Sequence, residues 1–128
     1  MTTASDGRLA HVSAPAHWQA VDFISDLHLH PAEPLTFEAW RRYLARPPAQ
    51  RADALFILGD LFEVWVGDDA LEVPGSFGAQ CARLLLEHSR HTEIFFMCGN
   101  RDFLVGPRAL QACGMQALDD PAVLEFLG

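Results

Sequence analysis

Val21-Asp22-Phe23-Ile24-Ser25-Asp26-Leu27-His28-Leu29 (21–29) decides how the whole chain is read. A short apolar run, too brief for a helix, gives way to a polar cluster at its carboxyl end. The same arrangement returns twice. Ala54-Leu55-Phe56-Ile57-Leu58 runs into Gly59-Asp60, and Ile94-Phe95-Phe96-Met97 runs into Gly99-Asn100-Arg101-Asp102. Length and aliphatic or aromatic content make each run a buried strand.

Helical patterns separate the runs. Thr36 can cap a helix, Glu38 suits its first turn, and Phe37, Trp40 and Leu44 form its apolar stripe, until Pro47-Pro48 ends it. A second helix is expected over 77–89, with Phe77, Cys81, Leu84, Leu85 and His88 on one side. Pro107 can open a short helix over 107–112, closed by Gly114. Two short strands, 115–118 and 123–126, are expected to follow, with Asp119-Asp120-Pro121 as the turn between them. Alternating strands and helices predict an α/β fold with a largely parallel sheet and right-handed crossover helices. Residues 1–19 are polar, are broken by Pro15, and read as a flexible N-terminal extension. The stop at Gly128, straight after an apolar run, would leave a sheet edge or face uncovered, as expected of a part of a longer domain.

The bulk properties narrow the function classes. The 128 residues are 50% hydrophobic, enough for a core, and the 20% charged residues are dispersed. A net charge of −8 argues against nucleic acid as a partner, because phosphate backbones are bound mainly through Lys and Arg. An anionic substrate is compatible if cations sit in the site. Cys81, Cys98 and Cys113 are odd in number and lack C-x-x-C spacing, so a disulfide framework or zinc knuckle is not indicated, and a reducing, cytoplasmic compartment fits. No signal peptide or membrane-spanning run is visible.

In open parallel sheets, ligands bind beyond the carboxyl ends of the strands, where all three polar clusters fall. In an extended segment, Asp26 and His28 would face one cation together, and mixed oxygen and nitrogen donors suit Mn, Fe or Zn more than Ca or Mg. Asp60 has two carboxylate oxygens, so it can bridge two cations. Asn100 offers a carbonyl oxygen to a metal and an amide to a phosphate. Arg101 can fork onto a phosphate or pair with Asp102. Taken alone, Asp26 with His28, and Asp60, are more often explained by turn or capping roles, and Asn100 by a left-handed turn. Three unrelated loops carrying metal or phosphate chemistry at strand ends are hard to assign to accident.

Asp26-Leu27-His28, Gly59-Asp60 and Gly99-Asn100 resemble the first three motifs of the calcineurin-like metallophosphoesterases. Arg101, where many members carry His, and the run from Gly59 to Asp69 resemble the branch that acts on UDP-2,3-diacylglucosamine in lipid A biosynthesis. The resemblance covers about residues 20–128, the N-terminal part of such a domain. It implies half of an αββα sandwich and a site for two Mn2+, other divalent metals being possible. Asp26 and His28 would hold the first metal, Asp60 would bridge, and Asn100 would bind the second. Arg101 and Asn100 would contact the substrate phosphate, and Trp65 would line the cleft or serve as an ordinary core or surface aromatic. The implied reaction is hydrolysis of the pyrophosphate bond to lipid X and UMP by metal-activated water attacking the α-phosphorus. The implied partners are a UDP-activated diacylated sugar lipid and the inner-membrane surface, met peripherally on the cytoplasmic face. The family's later His motifs have no counterpart up to residue 128, so the chain alone is expected to be weakly active or inactive.

Overall fold

The computed structural model describes residues 2–3, 9–62, 75–97 and 106–126. Six strands form one sheet: β1 (Thr2–Thr3), β2 (Leu9–Ser13), β3 (Val21–Ile24), β4 (Ala54–Ile57), β5 (Glu93–Phe96) and β6 (Met115–Glu125). Their order is β1-β2-β6-β5-β4-β3, parallel throughout except for the β1–β2 pair. Helices α1 (Pro34–Leu44), α2 (Phe77–His88) and α3 (Pro107–Cys113) make the crossovers between β3, β4, β5 and β6. Each crossover moves the chain one strand in the same direction. Crossovers of one hand therefore deliver all three helices to one face of the sheet.

Alternation along the strands sorts the core into two layers. Leu55, Ile57, Ile94 and Phe96 point to the helices and meet Trp40, Leu44, Cys81, Leu85 and Cys113. Ala54, Phe56 and Phe95 point the other way, toward Leu9, Val12, Trp18 and Leu118. On that second face Phe23, Phe56 and Phe95 stack in a row, with centroids 5.3 and 4.7 Å apart. Cover there is incomplete: Phe23 is 53% exposed and Val123 57%. Burial raises the Cys81 thiol to about 12, with Cys113 beside it adding to the effect, so both cysteines act as small core hydrophobes.

Several boundaries differ from the sequence reading. Helix α1 begins two residues before Thr36, because Pro34 fills the first-turn position where its missing N–H costs nothing. Residues 9–13, inside the stretch read as an extension, form β2 and pair with the edge of β6, burying Leu9 and Val12. That pairing also joins the two short strands expected after α3 into one. Leu9 faces Leu118 while His11 faces Val123, so the 119–122 segment is absorbed as an irregularity rather than a reversal. Helix α2 starts where Ser76 accepts a hydrogen bond from the Ala79 N–H (3.1 Å), a capped entry.

At the end of α3, Gly114 closes the helix in the left-handed conformation, φ 69°. A β-carbon there would lie 2.7 Å from the Ser89 β-carbon and closer still to its hydroxyl. Gly114→Ala should therefore destabilise the chain by about 2 kcal/mol or more, from the left-handed backbone cost plus the clash. Urea unfolding checks this, and Ser89→Gly in the same background should recover part of the loss.

Candidate metal centre

Beyond the ends of β3 and β4 the two chains stay paired. The Leu58 N–H donates to the Ile24 carbonyl (2.8 Å), Asp26 to Gly59 (3.1 Å), His28 to Asp60 (2.9 Å) and Leu29 to Leu61 (2.8 Å). An isolated parallel bridge between Leu29 and Phe62 closes the run. Leu29, Leu61 and Phe62 are almost wholly buried, so the far end of this ladder is fixed in the helix-side core. Between those anchors the polar residues are left facing outward.

The backbone that presents them is unusual. Asp26 (φ 57°), His28 (φ 47°) and Asp60 (φ 53°) are the non-glycine residues with positive φ among those described, and Gly59 (φ 103°) adjoins them. Left-handed backbone costs a residue with a side chain roughly 1 kcal/mol or more, and such residues concentrate where geometry serves a site. One donor atom from each of Asp26, His28 and Asp60 lies within 4.8 Å of the others. The His28 Nε2 sits 3.9 Å from the Asp26 Oδ1. Extended alternation, the reason first given for placing Asp26 and His28 together, is therefore not what converges them. Two left-handed residues flanking Leu27 turn the chain so that both side chains meet Asp60 on the adjacent loop.

Two carboxylates and an imidazole this close suit a divalent cation of borderline hardness, and without one the two carboxylates would repel. The donors differ in exposure, Asp26 being exposed and His28 and Asp60 half-buried, so the locus remains reachable from solvent. His30 has a different role: its Nδ1 accepts the Ala32 N–H (2.9 Å) and its carbonyl accepts the Glu33 N–H (2.9 Å), shaping the turn into α1. The expected residues Asn100, Arg101 and Trp65 lie outside the described residues. What sequence reasoning missed is the ladder itself. Its signal was present, since Leu29 and Leu61-Phe62 are apolar residues placed straight after the candidate ligands.

Comparison with known proteins gives the geometry a context. No family model matches the chain. It is 43% identical over 106 residues to UDP-2,3-diacylglucosamine hydrolase of Xanthomonas axonopodis pv. citri, and 42% identical over 106 residues to that of Stenotrophomonas maltophilia. Each match covers 83% of this chain but 42% of the relative, so the chain spans about two fifths of the length of these proteins. Among solved structures, the Pseudomonas putida nuclease MPE superposes with a TM-score of 0.59 at 26% identity, over 80% of this chain and 49% of that one. The α/β fold is that of a metallophosphoesterase.

The left-handed backbone allows a clean separation of ligand role from structural role. Asp26→Gly should unfold at the same temperature as the parent or slightly above it, since glycine takes φ 57° without steric cost. The same variant should lose the thermal stabilisation that added divalent metal gives the parent. Thermal unfolding with and without Mn2+ reads both effects.

Proposed function

We propose that this relative of the UDP-2,3-diacylglucosamine hydrolases forms part of a two-metal phosphoesterase site that cleaves the pyrophosphate of UDP-2,3-diacylglucosamine. The observation that carries the reading is the convergence of Asp26, His28 and Asp60 from two loops zipped together at the carboxyl ends of β3 and β4. Asp26 and His28 would hold one metal, and Asp60, with two oxygens, would be shared with a second that Asn100 completes. Manganese is the proposed metal, and the donor set supports it without excluding iron or zinc.

Divalent metals in such a site supply Lewis acidity and a water of lowered pKa. The chain's own residues would set the geometry. Attack of water on the α-phosphorus forms one P–O bond and breaks the bridging P–O bond, leaving UMP and 2,3-diacylglucosamine 1-phosphate (lipid X). The guanidinium of Arg101 and the amide of Asn100 would donate to phosphate oxygens as negative charge builds. Trp65 would line the substrate cleft. A lipid substrate would bring the protein peripherally to the cytoplasmic face of the inner membrane. None of the helices among the described residues is long and apolar enough to cross a membrane.

The chain reads as the N-terminal part, from about residue 20, of a larger domain. The incomplete cover of the second sheet face supports this, since parallel sheets are covered on both sides. A groove of about 330 Å³ on this face is lined by apolar residues, Phe23, Phe56, Leu58 and Met97 among them. An apolar face of this kind would take up a second packed layer.

A second reading rests on the nuclease neighbour: phosphodiester hydrolysis in nucleic acid. The net charge of −8 counts against it. Substrate comparison decides between them, with UMP release from UDP-2,3-diacylglucosamine set against cleavage of single-stranded DNA, both with Mn2+. The chain alone should release UMP at least a hundredfold more slowly than a full-length relative, and should not cut DNA. Asp60→Asn should weaken Mn2+ binding about tenfold or more in calorimetry, a loss of roughly 1.4 kcal/mol. Undiminished Mn2+ binding by Asp60→Asn would remove the basis of the proposal.

A further inference from the structure

The end of the sheet opposite the metal centre carries a second charged locus. Helices α1 and α2 finish there, at Leu44 and His88, just before the chain enters β4 and β5. Between their ends lies a groove of about 390 Å³ lined by Arg41, Arg51, Glu87, His88, Arg90 and His91 among others. Three guanidinium groups and two imidazoles face one carboxylate, on a chain whose net charge is −8. All nine basic residues of the sequence are arginines, the side chain whose planar fork matches phosphate oxygens bidentately.

Cations at helix C-termini have an ordinary explanation, as counter-charges to the helix dipole. Here the terminal carbonyls already have donors from their own chain. The Tyr43 carbonyl accepts from the Arg46 Nε (3.2 Å), Leu44 from the His88 Nδ1 (3.3 Å) and Arg46 from the Arg51 Nε (2.6 Å). At the end of α2 the Glu87 carbonyl accepts the Arg90 N–H (3.3 Å), and the His88 carbonyl accepts those of His91 (3.1 Å) and Thr92 (3.2 Å). Anchoring Arg51 through Nε orients its guanidinium and, among the described residues, leaves both terminal amino groups for another acceptor. Arg41 is partly engaged by Glu38 (2.9 Å). The positive charge of the groove therefore exceeds what the helix ends use.

His88 adds a buried polar group to this wall. It is 3% exposed, and its Nδ1 donates to the Leu44 carbonyl, so Nε2 is the ring atom left for a ligand: an acceptor while the ring is neutral, and a donor to an anion once the ring is protonated. We propose that this groove binds a phosphate-bearing anion, recognised by Arg51, Arg90 and His88. The phosphate could belong to a soluble molecule or to an anionic lipid headgroup. Burial, and then the charges of Arg51, Arg46 and His91, hold the His88 imidazole below its usual pKa of 6.5, although its bond to Leu44 opposes them. The Tyr43 ring, 6.1 Å away, and Glu87 complete its surroundings. A bound anion would offset those cations and raise the His88 pKa.

The test uses the full 128-residue chain stripped of metal with chelator, which keeps phosphate from being recruited to Asp26, His28 and Asp60. Inorganic phosphate is titrated while the His88 ring is followed by NMR. The expected result is a saturable shift of the His88 resonances and a rise in its pKa. Arg51→Gln and Arg90→Gln should each weaken phosphate binding about tenfold, the order expected for one charge-assisted hydrogen bond. Arg83→Gln, on the exposed side of α2 and outside the groove, should not. Vesicles of phosphatidylglycerol and of phosphatidylcholine distinguish the source. Arg90-dependent binding to the anionic vesicles alone assigns a headgroup, and phosphate binding without vesicle binding assigns a soluble ligand. A non-saturable response, or equal affinity in parent and Arg90→Gln, overturns the proposal. So does a variant that only lowers the unfolding temperature, which would leave the arginines as helix-end counter-charges. Arg90 is exposed, so its variant should fold even if that of half-buried Arg51 does not.

Discussion

The four backbone hydrogen bonds that carry the β3–β4 pairing past the ends of both strands fix everything the candidate metal centre needs. Strand ladders normally stop where the sheet stops, and the loops beyond are then free to choose their own paths. Here the segments after Ile24 and Ile57 travel together to Leu29 and Phe62. Register set inside the sheet is thereby transmitted to the ligand-bearing residues. A one-residue slip between β3 and β4 would separate Asp26 and His28 from Asp60, so the metal centre and the sheet register are one constraint.

The energetics favour this arrangement despite its strain. Three side-chain-bearing residues in left-handed backbone cost on the order of 3 to 6 kcal/mol together. Against that stand the extra ladder bonds, each worth about 1 kcal/mol net. Leu29, Leu61 and Phe62 add more, since full burial of such side chains stabilises by roughly 1.5–3 kcal/mol apiece. The apolar anchors outweigh the strain. The donors can therefore sit in conformations they would not choose, because their neighbours hold the backbone.

Much of this was legible beforehand, for reasons that are local. The apolar runs at 21–24, 54–58 and 94–97 identified β3, β4 and β5 within a residue; burial was as expected for β4 and most of β5, whereas β3 is a half-exposed edge strand. The stripe of Trp40 and Leu44, and that of Cys81, Leu85 and His88, fell on the buried sides of α1 and α2. The convergence of Asp26, His28 and Asp60 was foreshadowed by their position after strands. What escaped was long-range or conformational. Leu9–Ser13 looks polar because only Leu9 and Val12 turn inward, and its role as an edge strand exists only once β6 is beside it. The left-handed backbone at Asp26, His28 and Asp60 leaves no trace in composition, since Asp and His are also ordinary turn residues.

The two faces of the sheet make the same distinction in another way. On the helix side, Leu55, Ile57, Ile94, Phe96 and Met115 are buried against the helices of the same chain, and the pattern of apolar positions suffices to predict it. On the other side Trp18, arriving from the segment before β3, packs edge-on against Phe95 at 6.2 Å and covers only part of the row of aromatic rings. Phe23 lies at the uncovered end of that row, on the edge strand that also leads directly into Asp26 and His28. Whatever packs on this face therefore also bears on the strand that aims the metal donors. A layer seated over Phe23 would stiffen β3 from the side opposite α1, where Asp22 already accepts hydrogen bonds from Tyr43 (2.6 Å) and Arg46 (3.1 Å). Ligand geometry and completion of the core are in this way coupled through four residues of one strand.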